Sequence, residues 1–446
     1  MGELSVHLYG FPLGVLTGSG ARDFDLRIDE EIFSHFPVMS TVLSCSIPLQ
    51  PVLTRGHAAR RRNFFAELLP EGLAREQMAR QAGLMMDDVI GLLRRYGRDV
   101  AGAVEVFDPS SPFEPPEPGL RALSDHDIHR VATSAADLPL GNDPISGRIS
   151  LGGYQSKFTL TWDGARWCQP LGGYPSTHIV KPVSPVHPTM IYDEEYGARL
   201  ARRIGLLDYE VAVVDFDGLD CLVVERYDRA SAEQGVASGS APTPDAVATR
   251  RGDDASPEEK GGASGDDISL FGDGAIPWRI HQEDMNQALG VGGIQKYQEH
   301  GGAMTLRRIA ALLARLDAAS LVRLLRQVTM AAAIGNLDMH GKNLSILHLP
   351  DGTARLAPVY DMVPMLHQST DGKLALAING VYSIHALTSA DIVAEAESWG
   401  LAGAQDVVME TLRALAEAAN DEESHAQAHR DLRPDIVRQI EQLSSR

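Results

Sequence analysis

Gly335-Asn-Leu-Asp-Met-His-Gly-Lys-Asn343 is the stretch on which the reading of this chain turns. It leaves a helical pattern, Leu321–Ile334, and enters a short strand-like piece, Leu344–His348. Asp338 and Asn343 stand five apart, with His340 and Lys342 between them. A carboxylate beside an incoming hydroxyl can align it and accept its proton, and an amide oxygen close behind suits a hard cation. Alone the pair is weak, because Asp and Asn also cap ordinary polar turns.

Working outward, each flank adds a piece. Downstream, in Leu356-Ala-Pro-Val-Tyr-Asp-Met-Val-Pro364, Asp361 follows a short apolar strand and is a second candidate carboxylate for a metal. Upstream, Lys181 lies on the apolar strand Thr177-His-Ile-Val-Lys-Pro182, where a buried cation requires a partner. Glu195 is the expected partner, on a helix read from Asp193, as its cap, to Ile204, with Gly205 ending it. Further upstream, Ile149-Ser-Leu-Gly-Gly-Tyr-Gln-Ser-Lys157 is a glycine turn between strands, open enough for backbone N–H groups to approach phosphate. Val223-Val-Glu-Arg-Tyr-Asp228 closes this region as a hinge. Any one piece has an ordinary reading: a hairpin, a structural ion pair, a proline-ended turn. Their order is more specific: phosphate loop, lysine, helix glutamate, hinge, Asp–Asn loop and metal carboxylate run as in protein kinases.

Composition bounds the alternatives. The 446 residues suggest two or three units. Hydrophobic residues at 44% and charged residues at 22% exclude wholesale disorder. No apolar run approaches the ~18–20 residues of a membrane helix, and the first residues form no signal peptide. Forty basic against sixty acidic residues leave a net charge of −20, which opposes autonomous binding to a phosphate backbone. Cys45, Cys168 and Cys221 form no CxxC pair, which fits a reducing cytoplasm. Four segments are expected: a β-containing unit over 1–110, a small strand-rich lobe over 120–228, a disordered acidic insertion over 229–277, and a helical lobe over 278–446.

Together these residues resemble the HipA family, the serine/threonine-kinase toxins of bacterial type II toxin–antitoxin modules. The strongest matches are GNLDMHGKN (335–343), LAPVYDMVP (356–364), VERYDR (224–229), THIVKP (177–182) and QEDMNQALG (282–290). FFAELLPEG (64–72) and YGRDVAGAV (96–104) add support without a catalytic logic of their own. The resemblance implies an α+β fold, a protein-kinase-like bilobal core with an N-terminal β-rich subdomain, a small α/β lobe and a larger helical C-terminal lobe. It implies ATP and Mg²⁺ as cofactors, Asp338 as catalytic base, and Asn343 and Asp361 as metal ligands. Gly152, Gly153, Tyr154, Gln155, Ser156 and Lys157 then correspond to the phosphate loop, and Lys181 to the lysine on the ATP phosphates. Glu225, Arg226 and Tyr227 correspond to the adenine hinge. His340, Gly341, Lys342, Asn343 and Tyr360 correspond to the remaining nucleotide contacts. Tyr154 and Ser156 depart from the family's usual loop residues.

Ser150 corresponds to an autophosphorylated position. A phosphate there adds about −1.5 to −2 charge beside a loop that must cradle phosphate, so it is expected to switch the enzyme off. The resemblance further implies a helix-turn-helix antitoxin, contact with operator DNA only through it, and an aminoacyl-tRNA synthetase as protein substrate. Two other readings are a catalytically silent co-repressor and a small-molecule phosphotransferase.

Overall fold

The computed structural model describes residues 3–18, 23–111, 118–133, 157–230, 268–269, 277–292, 298 and 302–445. The chain begins with β1 (Leu4–Leu8) and β2 (Phe11–Gly18), joined by Tyr9 and Gly10, both at positive φ as a two-residue hairpin requires. Strand β2 runs through Pro12, which stands opposite His7 of β1. The β1–β2 register shifts between Val6 and His7, and β3 pairs with β2 only over Gly14–Gly18, so no ladder bond to β3 is required of Pro12. With β3 (Phe24–Ile28) and β4 (Val104–Phe107) these form an antiparallel sheet in the order β3-β2-β1-β4. Helices α1 (Ala58–Glu67), α2 (Gly72–Ala82) and α3 (Val89–Tyr96) follow β3 in the chain, with a break at Pro70-Glu-Gly72 between the first two. Leu4, Val6, Leu8, Phe64, Phe65, Leu92 and Tyr96 share one buried core.

The small lobe is built from β5 (Gly119–Ala122), α4 (Asp125–Thr133), β6 (Phe158–Trp162), β7 (Trp167–Leu171), β8 (His178–Pro182), α5 (Met190–Arg203), β9 (Val211–Phe216) and β10 (Leu219–Glu225). Two short pieces, β11 (Arg229–Ala230) and β12 (Ile268–Ser269), follow. Strand β12 pairs with β5, so the sheet has seven strands in the order β12-β5-β7-β6-β8-β10-β9. Both short strands belong to the segment read from composition as an insertion. Strand β11 pairs with β13 (Trp278–Arg279), and Arg229 is buried, held by ion pairs that composition cannot reveal. The remaining residues of that segment, 231–267 and 270–276, lie outside the described residues, as does the expected strand Gly147–Ser150.

The large lobe opens with β14 (His281–Asp284) and α6 (Met285–Leu289), followed by α7 (Leu306–Leu316) and α8 (Ala319–Ile334). Strand β14 pairs with β15 (Ser345–His348), which pairs with β16 (Ala354–Leu356). It escapes sequence reading because its buried positions are His281 and Glu283, not apolar residues. Strands β17 (Lys373–Ile378) and β18 (Val381–Ser383), also unexpected, precede α9 (Ser389–Glu397), α10 (Ala404–Asp421) and α11 (Leu432–Ser445). Among the described residues, no helix is long and apolar enough to cross a membrane.

Two polar joints tie the N-terminal unit to the lobes. Asp99 faces the guanidinium groups of Arg229 at 2.9 Å, Arg279 at 2.7 Å and Arg226 at 3.6 Å, and Asp228 pairs with Arg226 at 2.9 Å. Three cations opposite two anions hold both carboxylates below their usual range against the cost of burial. The second joint is Cys45, Glu283 and His348, whose ligand-capable atoms lie within 4.8 Å of one another. Glu283 Oε1 accepts from the Cys45 N–H at 2.7 Å and faces His348 Nε2 at 2.9 Å, while its Oε2 is buried with no hydrogen-bond partner.

Candidate active site

Helix α8 carries Met330 to Ile334 fully into the core and stops at Gly335, whose φ of 67° places it in the left-handed region. The chain then turns sharply into the loop that carries Asp338 and Asn343. Asn336 holds this turn. Its Oδ1 accepts from the Asp338 N–H at 3.0 Å, and its Nδ2 donates to the Asp361 carbonyl at 3.1 Å. Sequence reading left Asn336 without a role, although it lies inside the quoted motif. Asn343 Nδ2 donates to the Asp338 carbonyl at 2.8 Å, closing the loop on itself. The Asp338 carboxylate stays 58% exposed, with His340 Nε2 at 3.7 Å. That exposure lets an external hydroxyl reach it.

Lys181 on β8 is buried, and its ammonium bridges Glu194 at 2.7 Å and Asp361 at 2.5 Å. Burial disfavours this charge, but Asp361 and Glu194 more than offset it and hold the lysine above its ordinary range. Burial likewise opposes the Asp361 charge, yet Lys181 and Lys157 bring its carboxyl down to about 2. Asp361 adopts φ 51°, a strained conformation for a non-glycine residue of the kind that gathers at functional sites.

The partner of Lys181 is therefore Glu194, not Glu195. Helix α5 begins at Met190, and Asp193 lies buried inside its first turn, where it accepts from Thr189 Oγ1 at 2.7 Å instead of capping the helix. Glu194 shares the inward stripe of Ile191, Ala198 and Ala201. Glu195 faces the other way and pairs with Arg199 at 2.7 Å, the ordinary i,i+4 arrangement. That spacing marks Glu195 as paired within its own helix but does not say where Glu194 finds its counter-charge.

A cleft of about 1420 Å³ lies between the lobes, lined among others by Lys157, Lys181, Glu194, Glu225, Tyr227, Asp338, His340, Lys342, Asn343, Tyr360 and Asp361. Tyr227 and Tyr360 stack at 5.6 Å, joining the hinge to the irregular segment that leads to Asp361. Lys157 enters from the small-lobe side, and burial lowers its ammonium to about 8. Glu225 Oε2 accepts from the Glu210 N–H at 2.9 Å. Arg226 also lines the cleft, but its guanidinium is committed to Asp228, Ser176 and the Val100 carbonyl. Lys342 likewise turns its ammonium away from the expected nucleotide, to Glu67 at 2.6 Å. Gly341 packs on α6, where a Cβ would meet Asn286 Oδ1 at 2.6 Å. Ser150, Gly152, Gly153, Tyr154, Gln155 and Ser156 lie outside the described residues.

The donor chemistry fits a hard cation. Asp361 offers a carboxylate, and with Nδ2 of Asn343 committed to Asp338, its Oδ1 is the atom suited to a metal. Lysine paired with glutamate across strand and helix, a loop carboxylate and a second carboxylate after a short strand define a protein-kinase-like fold and site.

The comparisons give the family. The HipA-like C-terminal domain matches residues 149–423 and the HipA N-terminal domain residues 4–107. The chain belongs to the HipA family. It is 31% identical over 325 residues to Y4mE of Sinorhizobium fredii, whose name places it provisionally among the kinases; the match covers 71% of this chain and 67% of that one. It is 25% identical over 413 residues to the serine/threonine-protein kinase toxin HipA of Shewanella oneidensis, covering 89% of this chain and 83% of the relative. HipA from Shewanella oneidensis MR-1, solved with HipB and its operator DNA, shares the fold at a TM-score of 0.71 and 22% identity, over 99% of this chain and 96% of that one.

Proposed function

We propose that the chain is an ATP- and Mg²⁺-dependent serine/threonine protein kinase acting as a HipA-like toxin. The observation that carries this reading is the convergence of Lys181, Glu194, Asp361, Asp338 and Asn343 on one cleft. Asp338 accepts the proton of the acceptor hydroxyl. Lys181, positioned by Glu194, bears on the nucleotide phosphates, with Lys157 beside it. Asn343 and Asp361 hold Mg²⁺, which when bound neutralises charge on those phosphates. Tyr227 and Tyr360 line the nucleotide side of the hinge. Ser150 is the site of inactivating autophosphorylation.

The reading extends to partners. A HipB-like helix-turn-helix antitoxin neutralises the toxin and brings it to operator DNA, and the protein substrate is an aminoacyl-tRNA synthetase. The HipB–operator complex of the Shewanella relative supports the antitoxin, and the net charge of −20 agrees with DNA contact made through a partner. The units proposed are 1–110, 120–228, 229–277 and 278–446.

Incubation of the purified chain with ATP and Mg²⁺, followed by mass spectrometry of the protein and of candidate synthetases, tests the proposal. Phosphate on Ser150 is expected. Asp338→Asn should lower transfer by about 10²–10⁴-fold. Equal transfer by wild type and Asp338→Asn overturns the assignment of the base.

A further inference from the structure

FFAELLPEG belongs to the N-terminal unit, far in sequence from the catalytic loop, yet it ends beside it. Helix α1 closes at Glu67, Pro70 turns the chain, and Glu71 precedes α2, so both carboxylates face one point. That point is Lys342. Its ammonium lies 2.6 Å from Glu67 and 3.5 Å from Glu71. Lys342 and Glu67 are each only 8% exposed.

The support behind Glu67 is firm. Helix α1 docks on α6 through Gln287 Nε2, which donates to the Phe64 carbonyl at 3.0 Å, and on the chain just after α6 through Asn63 Nδ2, which donates to the Val291 carbonyl at 3.2 Å. Lys342 is held at its other end as well, since the Tyr360 hydroxyl donates to its carbonyl at 2.6 Å. Asn343 follows it directly, and Asp361 follows Tyr360. The turn bearing one candidate metal ligand is thus clamped between the N-terminal unit and the segment bearing the other.

We propose that Glu67, assisted by Glu71, is a positioning residue for phosphotransfer. By holding Lys342 it sets the placement of Asn343 and the Asp338 loop, which makes the N-terminal unit a working part of the catalytic centre. A buried ammonium spent on two carboxylates is unsuited to meeting a phosphate, so Lys342 acts through the loop it belongs to and not on the nucleotide. This rests on the phosphotransfer reading above.

Kinetics and amine labelling of the full chain test it. Glu67→Gln and Lys342→Met should each lower kcat by about 10–100-fold while KM for ATP moves by no more than about threefold. The double variant should fall no further than the worse single, because both remove one interaction. In wild type, sulfosuccinimidyl acetate should acylate Lys342 slowly, and in Glu67→Gln faster. Variants with unchanged melting temperature and kcat within about twofold of wild type overturn the positioning role. Unchanged labelling of Lys342 in Glu67→Gln overturns the clamp itself. Absence of phosphotransfer in wild type would instead overturn the kinase reading, and the labelling would still decide whether Glu67 holds Lys342. If Glu67→Gln does not fold, Lys342→Met carries the kinetic test.

Discussion

Glu194 and Glu195 are neighbours in sequence with opposite fates, and the difference is one step of helical rotation, about 100°. Glu194 points inward to Lys181, and Glu195 pairs with Arg199. A hydrogen bond to a charged group contributes about 1.5–3 kcal/mol, so Glu194→Gln should reduce phosphotransfer about tenfold or more. Glu195→Gln should stay within about threefold of wild type, since an i,i+4 pair contributes only tenths of a kcal/mol. Steady-state assays of the two variants decide between them, and the reverse ranking would restore Glu195 as the partner. His281 is a second residue with a definite expectation. It is buried, with Nε2 2.8 Å from the Leu43 carbonyl and Nδ1 accepting from the Ala103 N–H at 3.3 Å. Burial pushes its pKa down to about 4, with His348 adding to the shift. The unfolded chain therefore binds more protons between about pH 6.5 and 4, so this contribution is complete above 6.5 and is lost as pH falls toward 4. The loss amounts to about 3 kcal/mol, and chemical denaturation across that window should show a shallower pH slope in His281→Gln.

At the scale of elements, α5 is the part that most determines the site. It lies close under the segment carrying Asp361: a Cβ on Gly197 would meet the Met362 carbonyl oxygen at 2.1 Å. Helix propensity alone says that Gly197→Ala should stabilise by about 0.8–1 kcal/mol. The clash reverses the sign, with overpacking costing about 1–3 kcal/mol. Gly197→Ala should melt lower than wild type and transfer phosphate more slowly, and a raised melting temperature would show the contact to be looser than described. Sequence reading placed this helix and its C-terminal glycine, but began it three residues late. Asp193 is a good cap by type, yet it accepts from Thr189 Oγ1 and the His429 N–H and faces His367, partners supplied by the surrounding fold.

Across the whole molecule, the buried joint at Asp99 binds the N-terminal unit to the hinge region. Asp99→Asn would leave Arg226, Arg229 and Arg279 facing Asp228 as the remaining carboxylate of the joint. Removing one partner from such a buried network costs about 3–5 kcal/mol, which urea unfolding of Asp99→Asn should register. A cost below about 1 kcal/mol would mean that the joint is solvated in solution. YGRDVAGAV and FFAELLPEG, motifs with no catalytic logic in the sequence, supply Asp99 and Glu67 to this joint and to the catalytic loop.

The strand of Lys181, the helix after it, the Asp–Asn loop, the carboxylate after a short strand and the helix Leu321–Ile334 were legible in the sequence, because spacing, apolar periodicity and glycine stops are local properties. So were Asp338, Asn343, Lys181 and Asp361 as residues that share one cleft. Tertiary structure alone decided the partner of Lys181, the turning of Arg226 and Lys342 toward the N-terminal unit, and the polar strand β14. Each depends on which buried charge finds its counter-charge across more than ten, and often more than a hundred, residues of chain. Burial makes such pairing obligatory, but spacing along the chain does not encode it.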